Sequence, residues 1–195
     1  MRELYCITHP EVVARPDVPV PRWPLSERGK ERMRALLALP WVAGVGSVYA
    51  STEQKAIDGG RILADHRGLP LVTRAELGER DRSSTGYLSP DEFRATVARA
   101  FAHPEESVRG WESSAAAQRR IVSAVEAIVA ADRATGSIAI VSHGGVAALL
   151  LCHVTARPIA VDAQQPGATG GNTFALEVDP SGAMALLHGW RPIDP

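Results

Sequence analysis

Two of the chain's six histidines, His9 and His143, each follow a short apolar run and lie 134 positions apart. Two imidazoles in one pocket suit a metal ion or a phosphoryl group. Zinc asks for three or four ligands, usually with a short-spaced pair, yet no two histidines lie three to five residues apart and there is no Cys-x-x-Cys. Phosphoryl transfer accounts for more of the neighbourhood, because it needs an in-line nucleophile and donors for the equatorial oxygens. A neutral His9 could attack phosphorus and form a phosphohistidine that water later hydrolyses. Glu79, in a polar segment, is the candidate proton donor, with Glu76 and Asp81 as competitors. His143-Gly144-Gly145 opens a helix whose first amides lack partners, and the glycines let backbone approach an anion. Lys55 falls in the first turn of another helix, where the dipole disfavours a cation. It reads either as the partner of an anion held there or as a solvated lysine.

Holding these groups together requires a sheet whose strands end at them. Leu4–Thr8 is a short apolar strand that stops at His9-Pro10, where proline removes a backbone donor. Residues 11–24 contain Pro16, Pro19, Pro21 and Pro24 and form an extended surface loop. Ser26 caps a helix with Met33, Leu36 and Leu37 on its apolar face, ending before Pro40. A second strand over residues 46–50 leads to Ser51-Thr52, whose hydroxyls open a helix with Ala56, Ile57, Gly60, Leu63 and Ala64 inward. Residues 69–73 form a third strand, and 76–87 a polar loop over the sheet. Ser89-Pro90-Asp91-Glu92 begins a helix carrying Phe93, Val97 and Phe101. Another helix opens near Ser113-Ser114, and Arg119-Arg120 within it reads as a solvated face. Residues 138–142 run as a strand into His143 and the small-residue helix 146–154. Two last strands, 172–178 and 183–188, are joined by Asp179-Pro180-Ser181-Gly182. Alternating strands and helices predict an α/β sandwich on a mostly parallel sheet, with ligands beyond the strands' carboxyl ends.

A length of 195 residues with 45% hydrophobic and 22% charged residues predicts one globular domain over 1–195. The 21 Lys+Arg against 22 Asp+Glu leave a net charge of -1, so no global basic field gathers nucleic acid or membrane lipid. An anion site must be local, and the expected partner is a small phosphorylated molecule, with a homodimer left open. Cys6 and Cys152 sit inside apolar runs, the pattern of reduced core thiols, which predicts the cytoplasm. The longest small or apolar run, residues 144–152, falls well short of the roughly 20 residues that span a bilayer.

With these residues on the page, the chain resembles the histidine phosphatase superfamily, which includes the cofactor-dependent phosphoglycerate mutases. Four segments carry the resemblance: Thr8-His9-Pro10, Pro24-Leu25-Ser26-Glu27-Arg28-Gly29, Leu77-Gly78-Glu79-Arg80 and Val141-Ser142-His143-Gly144-Gly145. Weaker echoes are Ala50-Ser51-Thr52-Glu53-Gln54-Lys55-Ala56, Gly110-Trp111-Glu112-Ser113 and Gly171-Asn172-Thr173. The resemblance implies a three-layer α/β/α fold, His9 as the phosphorylated nucleophile, Glu79 as the proton donor and His143 as a phosphate-binding partner. It implies no metal and no cofactor.

The chain also departs from the family. Thr8 and Pro10 flank His9 where the family signature is Arg-His-Gly, and Lys55 stands where the second phosphate-pocket arginine belongs. Threonine offers one neutral donor and lysine a point charge, whereas arginine holds phosphate through two parallel hydrogen bonds. Arg15, in the proline-rich loop, is the expected compensating donor, with Arg22 behind it. The resulting reading is a phosphomonoester hydrolase with His9, Glu79 and His143 catalytic and Thr8, Arg15, Lys55 and Gly144 binding phosphate. The alternatives are an impaired member that binds an anionic ligand without turnover and, further off, a mutase-type phosphotransferase.

Overall fold

The computed structural model describes residues 1–194. Apolar residues alternate along the first strand, β1 (Arg2–Thr8): Leu4 and Cys6 face one hydrophobic layer and Ile7 faces the other. β4 (Ser137–Ser142) repeats this with Ile138 and Ile140 on the first side and Ala139 and Val141 on the second. Such period-two division with both faces apolar belongs to a sheet covered on both sides. β2 (Val45–Ser51), β3 (Leu71–Arg74), β5 (Asn172–Val178) and β6 (Met184–Pro192) complete six strands in the order β3-β2-β4-β1-β5-β6. β3, β2, β4 and β1 are parallel, while β5 pairs antiparallel with β1 and β6 antiparallel with β5.

Helices α1 (Glu27–Ala35) and α2 (Gln54–Arg67) cover the layer of Ile7, Met33, Leu63 and Val141. Helices α3 (Pro90–Ala102), α4 (Ser114–Ala131) and α5 (Gly144–Val154) contribute Phe101, Ile121, Val125 and Leu149 to the other. The result is the expected three-layer α/β/α sandwich. Ser26, Ser89 and Ser113 cap their helices as read from the sequence, accepting from Gly29, Glu92 and Ala116 amides.

Several boundaries differ from expectation, and the last strand, expected over 183–188, runs on to Pro192 as β6. β3 starts two residues late, at Leu71, because Gly68 turns left-handed at φ 64° and ends α2 there. α2 starts at Gln54 with Glu53 as its N-cap residue, and the Ser51 hydroxyl accepts the Glu53 amide (3.2 Å) instead of capping the helix. The parallel strands β2, β4 and β1 are neighbours, so Ser51, Ser142 and Thr8 end side by side. His9 and His143 are the next residues along their strands, which brings residues far apart in sequence to one edge of the sheet.

Candidate active site

His9 leaves β1 with its amide bonded to the Ser142 carbonyl (3.1 Å). Its Nδ1 lies 2.8 Å from the Pro10 carbonyl. A carbonyl only accepts, so Nδ1 carries the proton and the lone pair sits on Nε2. The His9 and His143 rings meet edge to face with centroids 5.2 Å apart. Burial pushes the His9 imidazole down to about 3, and His143 and the Lys55 charge push the same way. His9 is therefore an unprotonated imidazole at neutral pH, with a nucleophilic nitrogen toward a cavity of about 480 Å³.

His143 is fully buried as the N-cap residue of α5. Its Nε2 meets the Ser51 hydroxyl at 2.7 Å and a Glu53 oxygen at 3.3 Å. Its Nδ1 is buried without a protein partner. Because a polar atom so placed costs free energy unless bonded, Nδ1 is the atom this ring has left for a ligand. Burial lowers the His143 pKa, against the raising effect of Glu53 and Glu79.

Lys55 comes to the cavity, but not as a free cation. Only 3% exposed, it is paired with the Glu53 carboxylate and donates to the Val20 carbonyl (3.1 Å). The anion that relieves its conflict with the helix dipole is thus Glu53, one residue before the helix. Burial favours the neutral form of Glu53, but His143 and Lys55 outweigh it and hold the carboxyl down at about 2. Glu53 thus neutralises Lys55 at the cavity wall, where Arg80 and Arg82 are the other cationic side chains.

Glu79 is placed by its loop. Its carboxylate accepts the Gly145 amide (3.0 Å) and the Arg80 amide (2.9 Å), while its own amide donates to Glu53 (2.8 Å). A side chain at position 145 would put Cβ 2.5 Å from that carboxylate and displace it, so glycine there lets Glu79 keep its place. Although burial opposes it, the charges of His143 and Arg80 and the donated amides hold the Glu79 carboxyl below its ordinary range. Arg120, read from the sequence as part of a solvated face, instead donates to the carbonyls of Glu76 (2.7 Å), Gly78 (3.0 Å) and Glu79 (3.3 Å) and pairs with Glu112. It is a clamp on the acid's loop.

Thr8 and Gly144 reach the site through a residue that the sequence reading missed. The buried Thr8 hydroxyl accepts the Asn172 amide (3.0 Å) and lies 2.5 Å from Gln165 Oε1, which also accepts from Asn172 Nδ2 (3.1 Å). Thr8 is committed there and does not line the cavity. With Oε1 receiving these donors, Gln165 Nε2 is turned over Gly144, where an added Cβ would stand 2.1 Å from it. Gln165 lines the cavity, and its amide hydrogens occupy the neighbourhood from which Thr8 removed a guanidinium.

Arg15 is exposed and outside the cavity lining. The backbone explains this: its carbonyl takes the Trp23 indole N–H (2.9 Å), folding the proline-rich loop so that the side chain points away. Arg22 is exposed as well. Two arginines do line the cavity: Arg80, buried and donating to the Ser114 hydroxyl (2.9 Å), and Arg82, stacked 4.8 Å over the Phe93 ring and close enough to Glu79 and Glu53 to feel their charge. Arg82 makes no ion pair among the described residues. Nothing in its local sequence marks it off from the other arginines.

This arrangement, an unprotonated imidazole beside a second buried imidazole with a free nitrogen and a carboxylate on a helix N-terminus, is matched by a known family. The family model described as histidine phosphatase superfamily (branch 1) aligns with residues 10–183. The chain belongs to that superfamily. The aligned span opens at Pro10, directly after His9. No curated protein matches this superfamily member. Among solved structures, Bacillus stearothermophilus YhfR is similar at 24% identity and TM-score 0.76, covering 96% of each chain. A mycobacterial glucosyl-3-phosphoglycerate phosphatase bound to inorganic phosphate is similar at 20% identity and TM-score 0.74, covering 98% of this chain and 95% of that one. The alpha-ribazole phosphatase from Shigella flexneri follows at 21% and 0.74, covering 95% of each. At these identities the likeness is one of fold.

Proposed function

We propose that this superfamily member hydrolyses phosphomonoesters of a small metabolite through a phosphohistidine on His9. The observation that carries the reading is the edge-on His9–His143 pair on the cavity wall, with His9 Nε2 unprotonated and His143 Nδ1 unpartnered. The Nε2 lone pair forms the N–P bond as the ester P–O bond breaks, and the leaving oxygen takes a proton from Glu79. Water then attacks phosphorus, the N–P electrons return to His9, and Glu79 receives the water proton. Glu79 rests as a carboxylate, so its first proton arrives with the substrate: an ester monoanion hands it over as the phosphoryl group becomes dianionic, ester second ionisations lying near pH 6. His143 Nδ1, the Gln165 amide, Lys55 and Arg82 bind the phosphoryl oxygens.

No step requires a metal or a nucleotide cofactor. The cytoplasm fits two free, buried thiols, Cys6 and Cys152. Among the described residues no helix is long and apolar enough to cross a membrane.

A second reading, a member that binds phosphate without turning it over, is favoured by the pairing of Lys55 with Glu53 and of Thr8 with Gln165. Trapping separates the two. Incubation with an acyl phosphate followed by intact-protein and peptide mass spectrometry is expected to show one phosphoryl group on His9, absent in His9→Ala, whose turnover is lost. Turnover that survives His9→Ala overturns the hydrolase reading. Phosphate binding with no trapped intermediate establishes the second.

A further inference from the structure

We infer that the outer half of the cavity receives a flat apolar alcohol, so that the substrates are phosphate monoesters of aromatic or similarly apolar alcohols rather than of sugars or polyols. This names the substrate class of the site above and rests on the hydrolase reading.

The floor of the cavity is polar and the roof is not. Val12, Val20 and Trp23 enter from the proline-rich loop, Tyr87 from the loop after Glu79, Phe93 from α3 and Trp111 from the segment before α4. Two aromatic pairs line it, Trp23 with Tyr87 and Phe93 with Trp111, each with ring centroids 6.0 Å apart. Trp23 and Trp111 are themselves buried and back Tyr87 and Phe93, which remain 43% and 36% exposed. An apolar surface left open beside a reactive group is a binding surface.

The indole donors of this half are already committed inside the protein, which leaves the Tyr87 hydroxyl and the Gln164 amide as its neutral side chains without a partner among the described residues. The Trp23 indole N–H donates to the Arg15 and Val18 carbonyls (both 2.9 Å), and the Trp111 indole N–H donates to the Thr85 hydroxyl (2.8 Å). At the rim, Glu11 and the Thr169 hydroxyl both accept from Arg32, at 3.1 and 3.2 Å. A sugar entering here would give up water at its hydroxyls and find few replacements, a loss that apolar contact does not restore. An aromatic body loses nothing polar and gains stacking faces. Arg82 lies over the Phe93 ring and within reach of the charges of Glu79 and Glu53, so it joins the aromatic wall to the polar floor.

The test compares 2-naphthylmethyl phosphate with glycerol 3-phosphate, both esters of alkyl alcohols, so that intrinsic leaving ability does not decide the outcome. The expected kcat/KM ratio favours the naphthylmethyl ester by about tenfold or more. Tyr87→Ser and Phe93→Ser, at exposed rim positions that leave the core intact, are expected to shrink that ratio about tenfold. Calorimetry with 2-naphthylmethylphosphonate and methylphosphonate reads the chamber without turnover: the larger ligand binds more tightly, and the same variants erase the difference. A preference for the glycerol ester, or a ratio and a phosphonate difference both unmoved by the variants, overturns the inference. Selective phosphonate binding with no ester hydrolysed upholds the chamber and removes the hydrolase reading instead.

Discussion

At the scale of single residues, the site replaces charge with fixed neutral geometry. Thr8 does not hold phosphate; it holds Gln165, and Gln165 turns its amide hydrogens over the start of α5. Gln165→Ala is expected to lower kcat by about 10²-fold, the usual effect of deleting one preorganised transition-state donor, with little change in melting temperature. Steady-state kinetics checks this, and an unchanged kcat refutes the assignment. His9, Glu79, His143 and Lys55 could be picked out of the sequence because each sits where an element starts or stops, next to glycine, proline or a capping residue. Glu53, Gln165 and Arg82 could not. Glu53 and Gln165 meet partners 26 and 157 positions away, Glu79 and Thr8, and no local pattern encodes such a pairing. Arg15 failed as an expectation for the same reason: its placement is decided by a tryptophan that captures its carbonyl.

At the scale of elements, the loop bearing Glu79 is held by one side chain on α4. Arg120 ties that loop through three of its carbonyls and is itself fixed by Glu112. Arg120→Ala leaves those carbonyls and the Glu112 carboxylate without their donor, at a cost of about 1–3 kcal/mol. The expected result is a lower melting temperature together with a fall in kcat larger than any rise in KM, because Glu79 loses position while the binding groups stay. Equal losses in kcat and kcat/KM from unfolding alone would disappear on cooling; a positional loss would not. Strands and helices were readable at this scale, since the apolar alternation of β1 and β4 and the serine caps of α1, α3 and α4 act locally. The start of α2 was not, because the Ser51 hydroxyl that could have capped it is drawn to His143.

At the scale of the whole molecule, the buried imidazoles make stability depend on pH. Unfolded, His9 takes up a proton near its ordinary pKa of about 6.5, whereas in the folded protein it does so only near 3. Between those values the unfolded chain binds more protons, so stability falls as pH drops from about 6.5 toward 3 and is level above. Glu53, held at about 2, adds a loss of the same sign at the acid end. Melting curves from pH 8 to pH 4 are expected to show this decline, and a shallower one for His9→Ala between pH 6.5 and 4; identical slopes would contradict the burial of a neutral His9. The mixed sheet has another consequence. β1 lies between β4, which begins at Ser137, and β5, which begins at Asn172, so the strand carrying the nucleophile has both its neighbours in the last third of the chain. During synthesis the ribosome releases His9 well before the two strands that flank β1, and such distant pairing is slow to close. The nascent polypeptide therefore carries His9 as an ordinary imidazole until residues 137–178 have emerged.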